Sequence, residues 1–133
     1  MENIIKTTQA LGNFKTFIRL IQKAGLTQNL SNGSQFTIFA PNDVAFAKFS
    51  PKKVEILLND KDRLLTILKA HIIGKKIMGS FLINMKKTKT INGKELIIST
   101  TKGLRINDIN VIKTDIECTN GIIHEIDNVL LLK

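Results

Sequence analysis

The feature that most constrains the fold of this chain is an apolar run, FTIFAP at residues 36–41, that stops at a proline. Its β-branched and aromatic residues favour a mostly buried strand. Pro41 has no N–H with which to extend a hydrogen-bond ladder, so the strand should end there. Asn42 can then cap a helical turn, and Asp43 in that turn suits the positive end of the helix dipole. The segment therefore predicts a buried strand that leads directly into a helix.

The first half of the chain is otherwise helical in its pattern. Between residues 14 and 24, apolar side chains recur at the i, i+3, i+4, i+7 spacing of one helix face, and Gly25 is placed to end that helix. Similar spacing, with serine, proline or aspartate at starting positions, predicts further helices. These begin near Ile4, at Ser50-Pro51, and at Asp60 or Asp62.

The second half is dominated by segments that favour strands. Four stretches rich in β-branched residues are separated by Asn-Gly or Lys-Gly pairs, which mark turns because asparagine and glycine tolerate positive φ. The stretches are TKTIN, KELIIST, INVIKTDIE and GIIHEIDNVLLL. Helices first and strands later predict a single α+β domain over residues 1–133 rather than a parallel βαβ sheet.

Positive charge is concentrated in one segment. The chain has a formal charge of +9, and residues 74–105 hold eight basic side chains against Glu95 alone, a net of +7. Five lysines are therefore candidate contacts for an anionic polysaccharide, protein or lipid headgroup. They are Lys75, Lys76, Lys86, Lys87 and Lys89. A solubilising role is the alternative, and the lack of Trp and Tyr argues against nucleic acid, which stacks on aromatic rings.

The titratable side chains favour structural roles over chemistry. His71 continues the apolar face of a predicted helix, and His124 alternates with isoleucines on the inward face of a strand, so both should be neutral core residues. Together with Cys118 they do not form a recognisable zinc set, and we expect no metal or cofactor. Asp43 and Asp127 could form an acid–base pair, but a helix cap and a strand-end hydrogen bond account for them. No catalytic residue is predicted.

Two sequence boxes resemble the signatures of the fasciclin domain family. The first is TIFAPNDVAF, and the second is NGIIHEIDNVL at residues 120–130. The matching residues are Thr37, Phe39, Pro41, Asp43 and Phe46, then Asn120, Gly121, His124 and Asp127, with His71 in a Leu-x-x-His element between the boxes. The segment GNFKTFIRLIQKAGL also resembles the N-terminal part of the family, so the resemblance covers practically the whole chain.

The resemblance implies a wedge-shaped, twisted β-sandwich with a cluster of helices from the N-terminal half. It also implies a non-enzymatic adhesion module that binds a protein or polysaccharide of a cell surface or matrix. In some animal members, an Asp-Ile pair just before the second box is linked to integrin binding, and Asp115 and Ile116 match its position. A tyrosine linked to adhesion in the family is Ala70 here.

Other functions stay open from the sequence. A small-molecule carrier or an enzyme would use a pocket between helices and sheet, lined by His71, His124 and Asp43, and a cytosolic interaction domain is a third reading.

No apolar run is long enough to span a membrane. The location is extracellular, surface or periplasmic if a leader was removed, and cytoplasmic if Met1 is the native start. Two Asn-x-Ser matches, residues 29–31 and 32–34, fall in a predicted loop.

Overall fold

The computed structural model describes residues 2–31 and 35–130, which form seven helices and seven strands. The helices are α1 (Ile4–Leu11), α2 (Lys15–Ala24), α3 (Thr27–Ser31), α4 (Asp43–Ala47), α5 (Pro51–Leu58), α6 (Lys61–Lys69) and α7 (Gly79–Leu82). The strands are β1 (Phe36–Pro41), β2 (Ile72–Ile73), β3 (Lys87–Lys89), β4 (Glu95–Ser99), β5 (Arg105–Ile106), β6 (Ile109–Cys118) and β7 (Gly121–Ile126). None of these helices is long and apolar enough to cross a membrane.

Local caps set the helix starts that the sequence predicted. The Ser50 hydroxyl accepts a hydrogen bond from the N–H of Lys53 at 3.2 Å, immediately before Pro51 begins α5. Asp60 accepts from the N–H of Arg63 at 3.2 Å, so Asp60 rather than Asp62 opens α6. Each cap satisfies one of the N–H groups that have no partner within the helix.

The strands form one continuous order, β2-β1-β7-β6-β5-β4-β3. β1 and β7 run parallel in a register from Phe36 opposite Gly121 to Pro41 opposite Ile126, and the other neighbouring strands are antiparallel. The predicted α+β class is confirmed, but the sheet contains this one parallel pair. Parallel strands need a long crossover connection, and here almost the whole chain between the two boxes supplies it.

The sheet folds over on itself, because strands from both ends of its order bury residues in one apolar core. β1, β2 and β7 contribute from one end, and β4 and β5 from the other. The shared core contains Phe39, Ile73, Ile126, Leu96, Ile98 and Ile106. On the opposite face of β1 and β7, a second core packs Ile38, Ala40 and Ile123 against buried residues of the helices. The predicted sandwich with helices from the N-terminal half is confirmed.

Two local predictions are corrected by the structure. The last strand ends at Ile126 instead of continuing, because the chain bends at Asp127 and Asn128, and residues 131–132 of the predicted strand lie outside the described residues. Asn29, in the first Asn-x-Ser match, is an exposed residue of α3 and not of a loop. The second match, residues 32–34, also lies outside the described residues.

Candidate functional site

Residues 75–79 lie across three strands and are held by one side chain from each, and we call them the crossing segment. On β1, the Thr37 hydroxyl donates to the Lys75 carbonyl at 2.7 Å and accepts from the N–H of Ile77 at 2.7 Å. Thr37 is fully buried. Its hydroxyl therefore satisfies one acceptor and one donor of the crossing segment, as buried backbone groups require.

His124 on β7 holds the crossing segment at its middle. Its Nε2–H donates to the Ile77 carbonyl at 2.8 Å, and its Nδ1 accepts from the N–H of Asp115 at 3.2 Å. The ring is fully buried, with its centroid 5.6 Å from that of Phe39. Burial lowers the pKa of His124, and the Ile77 carbonyl and the Asp115 charge oppose this in smaller measure. A second proton would break the bond from Asp115, so this geometry fits the neutral ring.

The Asp115–Ile116 pair, predicted as a partner contact, lies in an irregular part of β6. Asp115 has φ of 62°, and the register with β7 shifts between Lys113 and Ile116, which is a β-bulge. The Asp115 carboxylate accepts from the N–H of Gly79 at 2.7 Å, which holds the end of the crossing segment. Ile116 is half-buried against the helix-side core. Both residues have structural uses, and a partner contact at the exposed Asp115 stays a prediction.

His71 ties α6 to the segment after β7. Its Nδ1–H donates to the Ile67 carbonyl at 2.8 Å, and its Nε2 accepts from the N–H of Leu130 at 2.9 Å. The ring centroid lies 6.0 Å from that of Phe17 in the helix-side core. Burial lowers the pKa of His71 to about 4, although the bond to the Ile67 carbonyl acts in the opposite direction. His71 is therefore neutral and fully hydrogen-bonded near pH 7.

The Asn120-Gly121 pair brings helices and strands into close contact. The Asn120 side chain accepts from the N–H of Ile4 at 2.9 Å and donates to the Leu30 carbonyl at 2.7 Å, which joins the start of α1 to α3. Gly121 has φ of 154°, and a Cβ there would lie 2.0 Å from the carbonyl oxygen of Phe36 on β1. Glycine is required at this position because the backbone of the parallel strand lies so close.

Asp43 caps a helix other than its own. It lies in the first turn of α4, as predicted, but its carboxylate accepts from the N–H groups of Lys15 at 3.3 Å and Thr16 at 3.0 Å. Those groups begin α2, whose own N-cap residue, Phe14, supplies no side-chain cap. The carboxylate thus satisfies donors at the positive end of α2 and joins two helices.

Glu125 is a buried carboxylate that sequence reasoning missed. It is 8% exposed and accepts from the side-chain amides of Asn42 at 2.8 Å and Asn13 at 3.2 Å. The Asn42 oxygen also caps α4 by accepting from the N–H of Ala45 at 2.9 Å. Alternation along β7 places Glu125 on the face opposite His124, and nothing local in the sequence shows that helices cover that face.

Asp127 has partners of its own. Its carboxylate accepts from the Asn110 amide at 3.3 Å, and its backbone carbonyl accepts from the Lys48 ammonium at 2.7 Å. The carboxylates of Asp43 and Asp127 therefore bind different groups, at the start of α2 and beside β6. These contacts agree with a cap and a strand-end hydrogen bond for the two residues.

The polar residues of both boxes thus hold backbone segments in place, and the comparisons identify the family to which this arrangement belongs. The family model described as "Fasciclin domain" matches residues 12–132. The chain belongs to the fasciclin domain family.

Similar proteins cover nearly the whole chain. It is 34% identical over 132 residues to "Uncharacterized protein sll1735" of Synechocystis, with 99% of each chain covered. It is 29% identical over 132 residues to the "Fasciclin-like arabinogalactan protein elcF" of Phaeosphaeria nodorum, with 97% of this chain and 40% of that protein covered. A solved FAS1 domain pair from the insect cell adhesion molecule Fasciclin I gives a TM-score of 0.86 at 22% identity, with 98% of this chain and 51% of that chain covered.

The predicted basic residues of this fasciclin domain lie on its surface. The exposed lysines are Lys75, Lys76, Lys86, Lys87 and Lys89. Two of them form ion pairs, Lys76 with Glu117 at 3.5 Å and Lys87 with Glu95 at 3.3 Å. Lys87 and Lys89 project from β3, which ends the strand order, and lysines on an edge strand also deter pairing with strands of other chains. Contact with an anionic partner stays a prediction.

Two cavities of the fasciclin domain lie away from both boxes. The larger is an open groove of about 550 Å³ between α2 and α5, and the smaller, about 210 Å³, lies between α1 and the start of α2. His71, His124 and Asp43 line neither of them. The pocket that would favour a carrier or an enzyme is thus not one of these two cavities.

The remaining candidate chemistry concerns metals and the cysteine. Within residues 2–31 and 35–130, no group of three or more His, Cys, Asp or Glu side chains is placed to hold a metal ion. Cys118 is buried, and burial raises the pKa of its thiol against smaller opposing effects of Thr7 and Lys76. A buried thiol with a raised pKa is a poor nucleophile, because the reactive form is the thiolate.

Proposed function

We propose that this fasciclin domain is a non-enzymatic interaction module that binds a protein or polysaccharide partner at a cell surface or in an extracellular matrix. The proposal rests on one observation, which is that the polar signature residues bind other parts of the domain itself. The hydrogen-bonding groups of Thr37, His71, Asn120 and His124 contact the backbone of the domain itself. These four side chains are also buried, so a substrate or ligand in solvent does not reach them, and binding is left to the exposed surface.

The similar proteins agree with a role in adhesion. The solved domain pair comes from a cell adhesion molecule, and one similar fungal protein is named an arabinogalactan protein. These names belong to those proteins. The name of the adhesion molecule supports, for this chain, a partner at a cell surface.

Two exposed regions are the candidate contact surfaces. One is the bulge at Asp115, and the other is the basic surface, defined as Lys86, Lys87 and Lys89 on and beside β3. Lysine ammonium groups attract anionic partners through a charge that salt screens. We therefore expect partner binding at the basic surface to weaken as salt is raised.

The test is retention of partners from the envelope and extracellular fractions of the native organism on the immobilised domain, at low and at high salt. The triple variant Lys86→Gln, Lys87→Gln, Lys89→Gln should retain less anionic material than the wild type. The control, Lys6→Gln, Lys52→Gln, Lys61→Gln, removes the same charge from exposed helical positions. Failure to retain any surface protein or polysaccharide would overturn the proposed function. Equal losses of retained material in both triple variants would exclude the basic surface as a specific contact site.

A further inference from the structure

Two helices line the larger groove, each with three residues at the same spacing. On each helix, three residues at i, i+3 and i+4 face the groove, a spacing that puts them on one side of a helix. These residues are Arg19, Gln22 and Lys23 on α2, and Glu55, Leu58 and the cap residue Asn59 on α5. Both helices pack against α6, and the space of about 550 Å³ between them is in the usual range for ligand sites, roughly 300–1,000 Å³.

The α2 side of the groove carries two positive charges, those of Arg19 and Lys23. Among the residues that the structure describes, the ion pairs are Lys76 with Glu117 and Lys87 with Glu95, so Arg19 and Lys23 have no carboxylate within 4 Å. Like charges at i and i+4 destabilise a helix slightly. An anion bound between the two cations would relieve that repulsion.

The two sides of the groove together select the kind of anion. The planar guanidinium of Arg19 matches a carboxylate with two parallel hydrogen bonds. Glu55 lies on the opposite side of the groove, and its oxygens can accept hydrogen bonds from sugar hydroxyls. The side-chain amides of Gln22 and Asn59 suit hydroxyls because they can donate and accept. Among the described residues that line the groove, none is aromatic and able to stack on a neutral sugar ring.

We propose that the groove between α2 and α5 binds a uronic-acid polysaccharide. Arg19 and Lys23 hold a sugar carboxylate, while Glu55, Gln22 and Asn59 bind the neighbouring hydroxyls. This inference rests on the proposed function, since it names the class of polysaccharide and the surface that receives it. The site is distinct from the basic surface on β3.

The test is calorimetric titration of the whole domain with two acidic probes, a galacturonate hexamer and a mannuronate hexamer. The methyl ester of the galacturonate hexamer is the uncharged comparison. Of the two acidic hexamers, the one that the wild type binds more tightly is used for the variants. The variant Arg19→Gln, Lys23→Gln should bind it at least about tenfold more weakly, as expected for lost charge-assisted hydrogen bonds. The control Lys6→Gln, Lys102→Gln removes the same charge from exposed positions outside both the groove and the basic surface, and it should change affinity less than about twofold. Arg19→Lys keeps the charge but should also weaken binding, because lysine lacks the planar fork.

Several results would overturn the inference. Equal losses in the two double variants would show that general charge attracts the probe, and undiminished binding of the methyl ester would show that the carboxylate is not recognised. Failure of the wild type to bind either acidic hexamer would exclude the groove as a uronate site. That failure would leave the proposed function standing if the domain still retains a partner from the envelope fraction, so the two proposals fail separately. Far-UV circular dichroism of each variant verifies that it is folded.

Discussion

At the scale of the residue, Gly121 and His71 show how strongly neighbouring backbone constrains single positions. Gly121 lies so close to Phe36 that no side chain fits, and both ring nitrogens of His71 have backbone partners. Local patterns marked Gly121 as part of a turn and His71 as a residue on an apolar face, and the family resemblance marked both positions without giving the physical reason. The physical reason for each is a contact with a distant part of the chain, which local patterns do not contain.

Replacing Gly121 with alanine should lower the free energy of unfolding by more than about 3 kcal/mol, since the new Cβ must displace the backbone of β1. The matched control is Gly93→Ala, where φ is 80° but nothing lies within 4 Å of the added atom. That change should cost only about 1 kcal/mol, the usual price of a strained φ. Urea denaturation measures both, and similar losses would contradict the clash.

His71 should make the stability of the domain depend on acid. Its pKa is about 4 in the folded protein, against an ordinary value of 6.5, so between these values the unfolded chain binds a proton that the folded one does not. Stability is then complete above pH 6.5 and falls as the pH drops toward 4, by about 3 kcal/mol in total. His124, whose pKa is also lowered, acts in the same direction.

The measurement is urea denaturation at several pH values from 7.5 to 4, for the wild type and for His71→Gln. The variant is less stable at pH 7.5 but should lose less stability on acidification, because its side chain does not titrate. Carboxylates titrate in both proteins, so the difference between the two curves isolates the histidine. Identical pH dependence would show that folding does not shift the pKa of His71, and it would contradict the prediction.

At the scale of the element, the sequence was most informative where local chemistry decides the outcome. The caps at Ser50 and Asp60 and the strand stop at Pro41 were predicted from residue types alone, and the structure confirms them. β5 was missed because it has only two residues. The turn that follows β5 could have been predicted from its Asn-Asp pair, because these residue types tolerate positive φ. In the structure, Asn107 and Asp108 have φ of 48° and 65° and form a two-residue hairpin loop.

The crossing segment provides a test at this scale. Thr37→Val removes a buried hydroxyl that serves both the Lys75 carbonyl and the Ile77 N–H, so stability should fall by about 2–3 kcal/mol. Amide hydrogen exchange at Ile77 and Gly79 should become faster than in the wild type. The control Thr119→Val changes an exposed residue and should shift stability by less than about 0.5 kcal/mol. Unchanged exchange at Ile77 would mean that other contacts hold the segment.

At the scale of the whole molecule, long-range contacts carry most of what the sequence could not predict. The parallel pairing of β1 with β7 joins the two boxes, although the pattern of helices first and strands later gave no sign of it. Arg19 and Glu55 likewise lie on opposite sides of one groove only because α2 and α5 both pack on α6. A sequence shows the positive pair on α2, but it does not show which residues lie opposite.

The same long-range contacts predict that residues 1–119 do not fold without β7. β7 lies between β1 and β6, all its residues are buried, and it supplies Ile123 to the helix-side core and Ile126 to the sandwich core. Removing it exposes both cores at once, so the helices should not stay packed as a separate unit. The fragment should give a poorly dispersed NMR spectrum, and a peptide of residues 120–133 added in excess should restore dispersion. A well-dispersed spectrum of the fragment alone would contradict the prediction that residues 1–133 are one domain, since the helical half would then have a core of its own.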